Sequence, residues 1–218
     1  MSQDFADPPR SIPLSLISGR GHYDEVIQAV LGAKISLWIS TANLKALYVE
    51  TLRGLGRRRG AANYHSIVSD LAALAERGVE LRILHAREPS QAFLAELRRQ
   101  KLGRRLVLRA CPRVHLKTVI VDGRALYLGS ANWTGAGLGA KGEGRRNFEL
   151  GIWTEDEGVL DRVQALYDRI YRGQECGACR LREVCPKPLD GLPKKLKLPG
   201  TRRGSRRAAG RSKTPPAR

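Results

Sequence analysis

Residues 114–132, VHLKTVIVDGRALYLGSAN, constrain this chain more tightly than any other stretch. Residues 114–121 are rich in Val, Ile, Leu and Thr, residues 124–128 form a second apolar run, and Asp122-Gly123 lies between them. Asp-Gly between two such runs predicts a two-residue hairpin turn, whose central positions need positive φ. With those two residues at the centre, His115 is expected opposite Ser130 and Lys117 opposite Leu128, with Asn132 just past the strand end. Side chains alternate along a strand, so His115 and Lys117 share one face while Leu116, Thr118 and Ile120 share the other. An imidazole, an ammonium, a hydroxyl and a carboxamide then gather within roughly 5 to 8 Å, the span of direct and diagonal cross-strand neighbours. No Asp or Glu of the hairpin is expected to point into this group. A basic, donor-rich pocket with a nucleophile suits a phosphate diester, whose non-bridging oxygens carry the charge to be neutralised.

The rest of the chain alternates strand and helix patterns. Residues 23–31 have helical apolar spacing, and residues 34–40 read as a strand delivering Thr41, Ala42 and Asn43 at its end. That Ser-Thr-Ala-Asn echoes the later Gly-Ser-Ala-Asn, so Asn43 is either part of a capped loop or a substrate contact. Residues 53–60, RGLGRRRG, form a glycine-rich loop in which Arg57, Arg58 and Arg59 are either solvated or in contact with phosphate. Further helices are expected over 63–77 with Asn63 as N-cap, 90–102 with Ser90 as cap, and 155–171; strands are expected over 79–84, 104–110 and 146–153. On the last strand Asn147, Glu149 and Gly151 face one side, and Phe148, Leu150 and Ile152 the other. Residues 135–144 are glycine-rich and predict a loop beside the pocket. This order predicts an α/β sandwich with a central mixed sheet flanked by helices. The expected organisation is a lead segment (1–20), a catalytic domain (21–172), a cysteine motif (173–186) and a basic disordered tail (187–218).

The net charge is +18 with a pI near 10.5, which favours a polyanionic partner such as nucleic acid or an anionic membrane surface. The tail holds eleven Lys or Arg against one Asp, hence +10 of the total, leaving +8 on the body. No apolar run approaches the ~20 residues of a membrane span, and the acidic start lacks signal-peptide features, so a cytoplasmic protein is expected.

His115, Lys117, Asp122, Gly129, Ser130 and Asn132 stand as H-x-K-x4-D-x6-G-S-x-N, which resembles the HKD motif of the phospholipase D superfamily. The resemblance runs from about residue 21 to 171, including the downstream Asn147-x-Glu149. It implies a phosphodiesterase in which His115 attacks phosphorus to form a phosphohistidine. It further implies that Lys117 and Asn132 bind the non-bridging oxygens with Ser130 nearby, that Glu149 hydrogen-bonds His115, and that catalysis needs no metal. Asp122, in the turn, and Gly129 are assigned structural roles; Asn147 is either a substrate contact or a strand-end hydrogen bond. The chain has one motif where the chemistry uses two histidines, which implies a homodimer. The leading expectation is a nuclease acting on DNA or RNA. The alternatives are a phospholipid phosphodiesterase, or a non-catalytic nucleic-acid-binding subunit of a larger defence or repair system.

Cys176-x2-Cys179-x5-Cys185, with Cys111 as the remaining cysteine, points to metal more than to disulfides in a cytosolic chain. Structural zinc is one reading; an iron–sulfur cluster is the other, since the spacing is similar to the cluster motif of RecB-like nucleases. Free thiols are the alternative.

Overall fold

The computed structural model describes residues 5–51, 64–100, 102 and 105–191. In chain order its strands are β1 (Ser15–Ser18), β2 (Ser36–Thr41), β3 (Tyr48–Glu50), β4 (Tyr64–Ser66), β5 (Glu80–His85), β6 (Leu106–Ala110), β7 (Thr118–Val121), β8 (Ala125–Gly129) and β9 (Leu150–Thr154). A π-helical segment, His22–Ile27, runs into α1 (Gln28–Leu31), and α2 (Ile67–Glu76), α3 (Gln91–Arg99) and α4 (Glu157–Tyr171) follow. Seven strands form one sheet in the order β1-β9-β8-β7-β2-β5-β6, while β3 and β4 pair separately. β2, β5 and β6 are parallel because helices cross over between them; the hairpin strands and β1 are antiparallel, so the sheet is mixed.

Helices cover both faces. Tyr23, Ile27, Leu71, Leu74 and Phe93 pack with Leu37, Ile39, Ile83, Val119 and Tyr127 on one side. On the other, Leu160 of α4 meets Ile120 and Leu126, and Tyr167 and Tyr171 meet Leu84 and Val114. This is the expected α/β sandwich. Because β7 runs antiparallel to β2 and β8, and β8 to β9, residues 115–117, the end of β2, the end of β8 and residues 147–149 all come to one end of the sheet.

Several local expectations change. Asp122 and Gly123 do take φ of 56° and 63°, and Arg124 N–H donates to the Val121 carbonyl (3.0 Å), the turn that Asp-Gly favours. The ladder, however, pairs Val121 with Ala125 and Thr118 with Leu128. Arg124 is therefore an extra residue on the β8 side, which slips the register by one: Leu128 faces Thr118 rather than Lys117, and the Gly129 N–H donates to the Lys117 carbonyl (3.2 Å). The helix expected over 63–77 is shorter, since Tyr64, His65 and Ser66 pair with Glu50, Val49 and Tyr48 as a ribbon. Ser66, not Asn63, caps α2 by accepting from Val68 N–H (3.3 Å); Asn63 lies outside the described residues. Residues 15–18 of the lead segment belong to the central sheet, where β1 pairs with β9. The final strand, expected over 146–153, starts at Leu150, and Phe148 before it is fully exposed. Arg57, Arg58, Arg59 and residues 192–218 of the tail lie outside the described residues.

Candidate active site

At the shared end of the sheet the chain is extended just before β7, and it presents His115 to solvent while burying Lys117 to 8% exposure. The two side chains lie on one face as the alternation requires. Lys117 Nζ sits 3.0 and 3.1 Å from the two ring nitrogens of His115 and donates to the His115 carbonyl (2.8 Å). Burial lowers the Lys117 pKa from its ordinary 10.5, and the Glu149 carboxylate acts in the opposite sense. The following Thr118 faces away from this pair, its hydroxyl bonded to Ser40 across the β7–β2 ladder (2.7 Å).

Asn132 enters from the loop after β8. Its Oδ1 accepts from the backbone N–H groups of Ala42 (3.1 Å) and Asn43 (3.0 Å) and lies 3.2 Å from Thr41 Oγ1. Those donors fix the amide orientation and leave the Nδ2 hydrogens unclaimed by this network, available to an anion. Thr41 completes the junction, donating to the Asn43 carbonyl (2.8 Å) and accepting from Trp133 N–H (2.9 Å). Asn43 contributes backbone here, so the Ser-Thr-Ala-Asn echo marks the segment that holds Asn132 in place.

Glu149 is bonded by the Ser130 hydroxyl and by Asn147 Nδ2 (3.0 Å). The expected bond from His115 to Glu149 is not the one present: both ring nitrogens lie against Lys117. The reason is local, because Ser130 N–H donates to the Leu150 carbonyl (2.9 Å) and Leu150 N–H to Ser130 Oγ (3.1 Å), a pairing that sets the hydroxyl beside the carboxylate. Asn147 is therefore a partner of Glu149.

Asp122 lies at the opposite end of β7. Its carboxylate accepts from the backbone N–H groups of Lys34, Ile35 and Ser36 at 2.7 to 3.1 Å, pinning the start of β2 to the turn. Gly129 is paired with Gly151, and a Cβ on either would run into Tyr127. That phenol is buried beneath the site, accepts from Ala131 N–H (3.3 Å), and its pKa is pushed up to about 12, first by burial. His22 packs edge-on against it with ring centroids 5.5 Å apart. Its Nδ1 lies 3.2 Å from the Gly19 carbonyl, while Nε2 is buried without a hydrogen-bond partner. Burial lowers the His22 pKa, so this floor is neutral and the charge above it is concentrated on Lys117 and Glu149. Nothing in the sequence signalled His22, which has no motif around it.

The sequence profile of the family described as cardiolipin synthase, PLD-like domain, matches residues 27–171, well over half of the chain. The chain belongs to this phospholipase D-like family. Among solved structures, it is similar to Nuc from Salmonella typhimurium, described as a phospholipase D family member, at 18% identity and a TM-score of 0.50, over 72% of this chain and 93% of Nuc. It is also similar to NucT from Helicobacter pylori (17% identity, TM-score 0.49, 72% and 94% covered). A phosphatidylserine synthase from Haemophilus influenzae matches at 17% identity with a TM-score of 0.47, over 73% of this chain and 38% of the synthase. Curated proteins give no match. At this identity the likeness to Nuc speaks to the fold alone.

Proposed function

We propose that this chain is a phosphodiesterase acting on nucleic acid, with His115 as the nucleophile. The observation that carries the reading is the exposed imidazole backed by a buried ammonium and by an Asn132 amide already oriented by two backbone donors. In the proposed reaction a His115 nitrogen attacks phosphorus, the bond from phosphorus to the leaving oxygen breaks, and water later releases the phosphoryl group from the ring. Lys117 and Asn132 Nδ2 donate to the non-bridging oxygens, where negative charge builds in the transition state. Glu149, fixed by Ser130 and Asn147, lies close enough to Lys117 to influence its charge. A positively charged body and a sequence-basic tail together suit a polyanion. Among the described residues, no helix is long and apolar enough to cross a membrane.

The leaving oxygen needs a proton that His115 cannot give while bonded to phosphorus, so a second copy of the chain supplies it from its own His115. The sheet edge offers a surface for that copy. Register places Leu16, Leu150 and Ile152 on one face of β1 and β9. α4 covers that face at the Leu126 end, leaving Leu16 and Leu150 exposed and Phe148 entirely so, one residue from Glu149. The same exposed apolar residues favour a second reading, a phospholipid substrate entering beside them. Incubation of the full chain with labelled DNA, RNA and phospholipid vesicles in EDTA separates the two. Cleavage of nucleic acid that disappears in His115→Ala is expected; hydrolysis of the vesicles alone would overturn the reading.

A further inference from the structure

Cys111 and the cluster that begins at Cys176, more than 60 residues apart in sequence, come to one place. Cys111, Cys176, Cys179 and Cys185 all line a single small cavity between the β6–β7 connection and the segment after α4, together with Arg113, Arg182, Pro112, Leu181, Pro188 and Leu189. All four are half-buried free thiols. The segment that carries three of them is anchored from both sides. Gly173, at φ 75°, turns the chain where any Cβ would strike Asp190. Arg182 pairs with Asp190, Arg109 donates to the Leu189 carbonyl, and Leu189 is buried against Leu84, Val114, Tyr167 and Tyr171. The fold thus spends several independent contacts to bring the Cys176-x2-Cys179-x5-Cys185 turns against Cys111.

We infer that Cys111, Cys176, Cys179 and Cys185 form a tetrathiolate metal centre, occupied by a zinc ion or an iron–sulfur cluster. Two cysteines separated by two residues and a third a turn further on are the sulfur spacing of such centres, and both metals take four thiolates. Among the described residues no group of three or more His, Cys, Asp or Glu already stands in metal-binding positions, so capture must draw the sulfurs inward across the cavity. The backbone permits this, because residues 173–185 are successive turns (Cys176 N–H to Gly173 O 3.0 Å, Cys179 N–H to Cys176 O 3.2 Å, Cys185 N–H to Leu181 O 2.8 Å) rather than ladder or helix. The centre closes the carboxyl-terminal segment onto the connection that ends, four residues later, at His115.

The test is made on the full chain purified without oxygen and without added metal. Elemental and sulfide analysis should give about one zinc per chain, or iron with acid-labile sulfide and a broad visible absorption. Metal-free protein titrated with Co2+ alone should develop the intense bands of a tetrahedral thiolate site and lose reactive thiols in step. Cys176→Ser with Cys179→Ser should abolish both signals. If that variant does not fold, the wild-type analysis and the cobalt titration still decide. Folded wild-type protein that carries no metal, shows no cobalt bands and titrates four thiols overturns the inference, as does metal retained by a folded double variant.

Discussion

Replacing Asp122 tests whether the aspartate of the motif belongs to the scaffold or to the chemistry. Its Oδ1 accepts from Lys34, Ile35 and Ser36 N–H, Oδ2 from Lys34 as well, and its own φ is 56°. Hydrogen bonds to a charged acceptor contribute about 1.5–3 kcal/mol each, and partial exposure of this carboxylate puts them at the low end. Asp122→Ala removes all of them and leaves alanine in a left-handed conformation that costs about 1 kcal/mol more. With three donors at the low end, a total of about 5.5 kcal/mol should lower Tm by about 11–22 °C in a domain of this size. Asp122→Asn keeps an oxygen acceptor and tolerates the left-handed backbone, so it loses only charge, about 1 kcal/mol and 2–4 °C. Acidity separates the terms further. Burial resists ionisation of Asp122, but the N–H groups of Ile35, Ser36 and Lys34 outweigh it and hold the carboxyl below its ordinary 3.8. A depressed carboxylate stabilises above its unfolded pKa and loses that contribution as pH falls through the folded value. The advantage of wild type over Asp122→Asn should therefore be constant from about pH 5 upward and vanish in acid. Circular-dichroism melts across pH, with phosphodiester cleavage measured well below each Tm, provide the readout. Equal destabilisation by Asn and Ala, or loss of turnover in a folded Asp122→Asn enzyme, would refute the scaffold assignment.

Lys117→Met should lower kcat by about 10²–10³-fold, as loss of one transition-state donor does, while thermal melts stay unchanged or rise because a buried charge is removed. In wild type the alkaline limb of the pH–rate profile should fall below the ordinary lysine 10.5, since the buried Lys117 sheds its proton early; a limb at or above that value contradicts the placement of Lys117. Truncation after Gly191, which removes ten Lys or Arg but spares the buried Leu189, should flatten the salt dependence of nucleic-acid binding and leave cleavage of a short substrate intact. Excess His115→Ala chains mixed with wild type under subunit exchange should reduce activity roughly as the fraction of wild-type homodimers, and Phe148→Asp should yield inactive monomers in sedimentation; activity proportional to wild-type chain alone places the second acid within one chain.

The alternation of strand and helix patterns was enough to read the sandwich, because each long element carries its period and its caps: Ser90 accepts from Phe93 N–H (3.3 Å) and Asp156 from Val159 N–H (2.9 Å), as local sequence suggests. Short elements escaped. β1 and β3–β4 are four and three residues long, and they exist through pairing with distant partners rather than through any pattern of their own. Tyr64-His65-Ser66 reads as the start of a helix until Tyr48–Glu50 is available to pair with it.

Within the site, residue types and faces were legible but register was not. Asp-Gly specifies the turn, and nothing local reveals whether the strand after it resumes at Arg124 or at Ala125. The structure chooses Ala125, and the consequence reaches the chemistry. Lys117 now faces Gly129 rather than Leu128, and its ammonium lies against His115. The same glycine, with Gly151 beside it, clears the space that Tyr127 fills from below. The motif glycine, assigned a structural role from the sequence, therefore makes room for the Tyr127 phenol beneath the site. Gly129→Ala would have to displace either the phenol or the Gly151 backbone, so its damage should appear in folding before it appears in catalysis.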